Sequence, residues 1–365
     1  MAKTTLITMM IVLSTCLPGC IPKQKVIDDI ELPQILSIDS DGKSYKGAIL
    51  IPRYKAMGDT EFKLIDTVSS SNYDLIPRIN RRTKHQIEKG QLGMVLLGND
   101  YSEKGIGDQL QSLTRDPKIP SMLQLGVAEG NAAELLDIIQ KSGEPFFLTY
   151  MVEQNINNGN LPMMNLHEAL FNYYGEGRDM FLPFFKKEQG EVKIDGLALF
   201  RKDKKIININ NEEAFLLNLL LNHAKVGRYM VPGTKEALNE DPEKQILIHI
   251  NKSKVSKHVK IEESAPSISI RLEMNVKVEE IPDLAVLKSK AKVTKLEKKM
   301  GNHFEKEIQT LLSFFQENNV DPVGFGDLVR HKSKDLNSKE LSEMYPEINT
   351  HVRVDVTINQ SGTTE

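Results

Sequence analysis

The chain has 365 residues, 27% of them charged and 40% hydrophobic, with a formal net charge of −3, two cysteines and no tryptophan. No global basic field exists to draw in nucleic acid, and an aromatic content of 6% argues against a stacking platform for sugars or bases. The length exceeds one ordinary core and fits two or three domains.

In chain order the first feature is an apolar run from Thr4 to Leu17 behind a single cation, Lys3. A permanent bilayer helix needs roughly 20 apolar residues, so the run reads as a secretory signal peptide, residues 1–19. Its end, Leu17-Pro18-Gly19-Cys20, resembles the bacterial lipobox, whose Cys is acylated and opens the mature chain. Cys20 would then carry diacylglycerol and an N-acyl group, and Cys16 would leave with the signal. A metal clip on these two cysteines lacks ligands, because four are wanted and no His or Cys follows before His85. An uncleaved N-terminal anchor is the plain alternative.

Residues 20–34, polar with Pro22 and Pro33, read as a tether. Ile35 to Asp39 and Tyr45 to Pro52 flank an Asp-Gly turn and predict a hairpin. A basic helix over Asp74 to Thr83 follows, then a buried strand in "QLGMVLLG" and a helix over Gly107 to Thr114 that stops before Pro117. "MLQLGVAEG" predicts a strand, and "NAAELLDIIQKSG" a helix capped by Asn131 and stopped by Gly143. This alternation predicts a mixed α/β N-terminal region over residues 35–225, within which 140–195 is less regular and leaves room for a split into two lobes. "VKIDGLALFRKDKKI" reads as two strands about Lys202-Asp203, and Asn211 to Lys225 as a helix capped by Asn211.

Residues 226–365 follow a different pattern. Ile246, Ile248 and Ile250 alternate, as do Ile268 through Val278 and Val352 through Ile358, the mark of strands with one buried face. Val293, Leu296, Met300, Phe304, Ile308, Leu311 and Phe315 form a helical stripe between them. The expectation is a multi-domain α+β protein whose C-terminal domain is an antiparallel sheet packed with a long helix.

The sequence carries no catalytic, metal or phosphate-loop signature. GxSxG, HExxH and GxxxxGK[ST] are absent, and His167-Glu168 lacks a second His one turn on. His249, between Ile248 and Ile250, should face solvent. The cluster Arg78, Arg81, Arg82, Lys84 and His85 could dock on anionic headgroups near the anchor, although a solvated helix face is the simpler reading. Asp116, before Pro117, is placed to bond turn amides, and Arg115 offers a planar donor fork.

The stretch "GMVLLGNDYSEKGIGDQLQSLTRDPKIPSMLQLGVAEGNAAELL", together with "VKIDGLALFRKDK", the long helix leading to "NNVDPVGFG" and the closing "MYPEINTHVRVDVTINQSG", resembles the Ger(x)C family, the lipoprotein subunits of spore germinant receptors. The resemblance implies a non-enzymatic protein without cofactors, held by its lipid on the outer face of the inner spore membrane. It further implies A-type and B-type membrane subunits as partners, one multi-spanning and transporter-like, the other with large soluble domains. Under this resemblance Arg115 is also a candidate partner contact. A lipid-anchored solute-binding protein is the main rival, motivated by the α/β lobe and a possible interdomain cleft. A cell-wall hydrolase comes third.

Overall fold

The computed structural model describes residues 29–55, 60–221, 226–232, 245–261, 265–333 and 338–359. Leu17, Pro18, Gly19 and Cys20 lie outside the described residues. The first elements are β1 (Ile30–Glu31), β2 (Ile35–Ser40), β3 (Tyr45–Tyr54), β4 (Thr60–Ser69), α1 (Leu75–Asn80), β5 (Gln86–Ile87), β6 (Met94–Leu97), α2 (Asn99–Lys104) and α3 (Gly107–Arg115). They are followed by β7 (Gln124–Ala128), α4 (Ala132–Ser142), α5 (Phe147–Asn157), α6 (Leu166–Tyr174), β8 (Phe181–Glu188), β9 (Glu191–Arg201), β10 (Lys204–Ile209) and α7 (Asn211–Leu220).

Eight of these strands make one sheet, ordered β10-β9-β8-β7-β6-β2-β3-β4. β2, β6, β7 and β8 run parallel, and hairpin partners extend both flanks in antiparallel fashion. The β2–β3 turn is closed by Asp41, whose carboxylate accepts from the amides of Lys43 and Ser44 at 2.9 and 2.8 Å, with Gly42 at φ +88°. All four residues of β6 are buried because helices cover both faces of the sheet. Leu36, Ile38, Val95 and Leu97 meet α1 and α3 on one face. Ile35, Met94 and Leu96 meet α4 and α5 on the other. Residues 140–195 supply α5, α6 and β8, and β8 is hydrogen-bonded to both β7 and β9 within this same sheet.

The cap of α7 is Asn210, not the expected Asn211. Asn210 accepts from the Glu213 amide at 3.0 Å while the Glu213 carboxylate accepts from the Asn210 amide at 2.8 Å. Of the two asparagines, Asn210 is the one with a Glu three residues later, which closes a reciprocal capping box. Every residue from Ala214 to Leu220 is buried. Buried on every side beyond its first turn, α7 is wedged between the large sheet and the C-terminal strands.

The C-terminal part comprises β11 (Gly227–Pro232), β12 (Gln245–Lys260), β13 (Ser267–Glu280), α8 (Lys290–Glu317), α9 (Phe325–Lys332), α10 (Ser338–Met344) and β14 (Asn349–Ile358), with the strands ordered β11-β12-β13-β14. The expectation of an antiparallel C-terminal sheet holds for β11, β12 and β13, but β14 joins β13 in parallel, Ser267 opposite Asn349 through Val276 opposite Ile358. The cause is the intervening helix, which carries the chain back along the sheet so that β14 starts at the same end as β13.

Along α8 the whole predicted stripe is buried. A second stripe guards the sheet edge. Glu297 and Glu305 accept from the amides of Ile358 and Val354, each at 2.9 Å, and Gln309 donates to Thr350 at 2.8 Å. The spacings match, since eight helical residues rise about 12 Å and four strand residues about 13 Å. Gly301 lies on this stripe, where a Cβ would stand 2.7 Å from the Val354 carbonyl oxygen. Two outward amides of the edge strand, those of Val354 and Ile358, are thereby occupied, which hinders pairing with another chain there.

Phe304 is fully buried, its ring 4.9 Å from that of Tyr229, and Tyr229 in turn stacks on Phe215 of α7 at 5.3 Å. Phe304→Ala should cost about 3–5 kcal/mol. A urea titration would show this as a lower midpoint at unchanged slope; an unmoved midpoint would mean that the stripe is not core.

Candidate functional site

Two loops join the sheets. One, Gly175 to Asp179, leads from α6 to β8; the other, Asn318 to Gly324, leads from α8 to α9. The Asp179 amide donates to the Asp321 carbonyl at 2.8 Å, and the Asp321 amide donates back to the Asp179 carboxylate at 2.8 Å. Asp321 points its own carboxylate at the start of α9, accepting from the amides of Gly324, Phe325 and Gly326 at 2.8, 2.9 and 2.7 Å. A carboxylate in that place satisfies orphan amides and faces the positive end of the helix.

The approach is backbone on backbone. The Asp327 amide donates to the Gly177 carbonyl at 2.7 Å, and a Cβ on Gly177, at φ +71°, would stand 2.4 Å from the Asp327 nitrogen. Around this contact Arg178 pairs with Asp327, Arg330 reaches the other Asp327 oxygen at 2.7 Å, and the Arg178 guanidinium lies 4.2 Å from the centre of the Phe171 ring. Burial pushes the Asp321 carboxyl up to about 7 despite its three amide donors, and the neighbouring Asp179 adds to the rise. Asp179 is also raised by burial. Lys257 is lowered by burial to about 8, with Asp321 drawing it back up.

Beside this joint opens a cavity of about 600 Å³, lined by Tyr173, Tyr174, Arg201, Lys204 and Tyr345 among others. Its walls are tyrosines and charges of both signs. Among the described residues no group of three or more His, Cys, Asp or Glu is disposed to hold a metal ion. The crevice at the carboxyl ends of β2, β6 and β7, where open α/β sheets commonly take ligands, is filled from within. Asp39 accepts there from the amides of Ala132 and Ala133 at 2.7 and 3.1 Å, occupying the helix N-terminus that would greet an anion. Gly98 is required beside it, since a Cβ would lie 2.1 Å from the Asp39 carboxylate.

Arg115 lies exposed at the end of α3, 3.5 Å from Gln111, and is not among the residues that form the joint. Asp116 bonds the Lys118 amide at 3.0 Å, as expected of a turn residue, and pairs with Lys89 at 2.8 Å. His167 is exposed, and His249 is only half-buried, held in register between Arg228 and Lys277 on the face opposite Ile248 and Ile250. None of these meets another to make a catalytic group. The joint residues Arg178, Asp179, Asp321 and Asp327 escape sequence reasoning. Their one signal is the density of Gly and Asp in "GEGRD" and "VDPVGFGD".

Two family models match in succession. A spore germination protein N-terminal domain matches residues 23–187, and the C-terminal domain of the spore germination B3/GerAC-like type matches residues 195–362. The chain belongs to this GerAC family of spore germination proteins. Among its relatives is the spore germination protein GerQC of Bacillus cereus, 28% identical over 360 residues, covering 97% of this chain and 98% of that one. The GerBC crystal structure shares the fold with a TM-score of 0.59 at 20% identity, covering 88% of this chain and 96% of that one. The two matches do not divide the chain where the sheets divide, because most of β9 and all of β10 fall in the second match yet belong to the first sheet. Asp179 lies in the first match and Asp321 in the second, so the joint ties one family domain to the other.

A carboxyl group raised on folding favours the folded state while protonated and loses that contribution as pH climbs toward the folded value. Asp321 should therefore make the protein progressively less stable as pH rises from about 4 to about 7, by a few kcal/mol at most given the raised Asp179 beside it. Lys257 acts with the opposite slope, and only from about 8 upward. Asp321→Asn, which keeps an acceptor for the loop amides, should flatten the fall in melting temperature across that window. An unchanged slope in the variant would remove Asp321 as its source.

Proposed function

We propose that this chain is a lipid-anchored, non-enzymatic subunit of a nutrient germinant receptor, acting as a scaffold or coupling component beside A-type and B-type membrane subunits. The reading places it on the outer face of the inner spore membrane, held by diacylglycerol and an N-acyl group on Cys20. The observation that carries it is the match to both spore germination domains, in order and over nearly the whole chain. The joint supports a mechanical role, since two units locked by backbone contacts and a buried carboxylate transmit displacement rather than absorb it. No described helix is long and apolar enough to cross a membrane. On this reading the anchor is the lipid.

A second reading, a lipid-anchored solute-binding protein, draws on the 600 Å³ cavity beside the joint. Against it stands the sheet crevice already closed by Asp39. Calorimetric titration of the protein with amino acids and sugars separates the two, a flat trace counting against solute binding.

A gentle-detergent pull-down of tagged protein from spore membranes should bring down a multi-spanning subunit and a large-domain membrane subunit together. Cys20→Ala should abolish labelling by a fatty-acid analogue and lose both partners. Recovery of the protein alone would end the receptor-subunit reading, and normal labelling of the variant would end the lipobox reading.

A further inference from the structure

The first described strand lies at one end of the eight-stranded sheet, and that end has an unusual surface. β1 pairs with β5, Ile30 opposite Gln86, and Glu31 is buried against Arg53 at 2.6 Å. Gln34, next along the chain, donates to the Tyr54 hydroxyl at 3.3 Å and accepts from the Phe146 amide at 2.9 Å. The Phe146 ring is 5.9 Å from that of Tyr150. Three strands over, Met122 precedes β7 and its sulfur lies 3.6 Å from Asn165, two residues past Met163. Tyr54 and Met122 are each 67% exposed, Tyr150 59% and Met163 50%.

Four large apolar or amphipathic side chains therefore stand open to solvent where the strands β2, β6 and β7 begin and β3 ends. The basic cluster that the sequence singles out runs into the same place, since His85 immediately precedes β5. Within it Arg78 pairs with Asp74 and Arg82 with Asp66, whereas Arg81 and Lys84 are exposed with no ion pair among the described residues. Tyrosine with flanking Arg and Lys is the composition that settles at a membrane–water interface.

Chain length selects the occupant. Eight residues lie between Cys20 and Asp29, and fully extended the stretch from one to the other spans about 30 Å, whereas a body of this length has a radius of gyration of about 20 Å. A tether that short holds the end from which it emerges toward the surface that holds the lipid.

We propose that this end of the body, through Tyr54, Met122, Tyr150 and Met163 with Arg81 and Lys84 at its margin, rests directly on the lipid surface. The proposal rests on acylation of Cys20, and its test separates the two. The described residues contain no cysteine, so a single bimane label can be placed by Met122→Cys, with Leu284→Cys, exposed in the C-terminal unit, as control. The full-length acylated protein is reconstituted in phosphatidylcholine–phosphatidylglycerol vesicles carrying acyl-chain bromine. The expected result is strong quenching at position 122 and little at 284, with quenching at 122 lost when Tyr54, Tyr150 and Met163 are all changed to Ser while the protein still floats with the vesicles. Flotation with equal, weak quenching at both positions overturns the docking but leaves the anchor. Failure to float, with no acyl group on Cys20, overturns both. Protection of position 122 only when membrane subunits are present would assign the surface to a protein partner and overturn lipid contact.

Discussion

The structure turns on one buried carboxylate. Asp321 is buried, a costly placement for a charge, and the three amides at the start of α9 offset that cost. Having fixed its own loop, it offers backbone in both directions to Asp179 across the junction. The adjoining Gly177–Gly326 contact leaves no room for a Cβ on either side. The polar clamp thus demands two glycines and two aspartates in separate halves of the sequence. A loss in either half removes the partner of the other.

An apolar seam runs parallel to this clamp. α7 closes the first sheet, and its Phe215 begins the aromatic run through Tyr229 to Phe304 of α8. Asn218, the polar residue in its buried face, donates to the Gly159 carbonyl at 2.8 Å, tying the helix to the loop after α5. Hydrophobic burial holds the units together without direction, while the carboxylate joint sets their registry. Sliding of one unit on the other would leave buried amides and carboxylates without partners, which is the more expensive loss. A single displaced unit would therefore carry the other with it.

Much of this fold was legible where it depends on local pattern. Period-two alternation marks β12, β13 and β14, and spacings of three and four give every residue of the α8 stripe. Direction is another matter. Alternation reads the same in parallel and antiparallel strands, so the orientation of β14 had to come from the path of the helix before it. Similarly, Asn131 stands at the start of α4, but the amides there are taken by Asp39 from a strand about ninety residues earlier in the chain. Asp321 and Asp179 are likewise distant in sequence, and neither sits in a motif whose chemistry announces a partner. The proposed lipobox, by contrast, rests on four adjacent residues, because such a motif is recognised by an enzyme and not by a fold.

The placement of Asp39 bears on function through what it removes. A parallel β-sheet with helix termini at its carboxyl end is a ready anion site, and fold alone would invite a ligand there. Here the protein's own carboxylate occupies the amides, and Gly98 is needed to let it in. Lys205, buried nearby, is engaged by Asn99 at 2.8 Å rather than left for a substrate. At this edge of the first unit the helix amides are therefore taken by the protein's own carboxylate, and an open cavity lies instead against the joint between units. A molecule or subunit bound in that cavity touches Arg201 and Lys204 of the first unit and Tyr345 of the second at once. Binding there would bear on the spacing of the two units, in keeping with the coupling role proposed above.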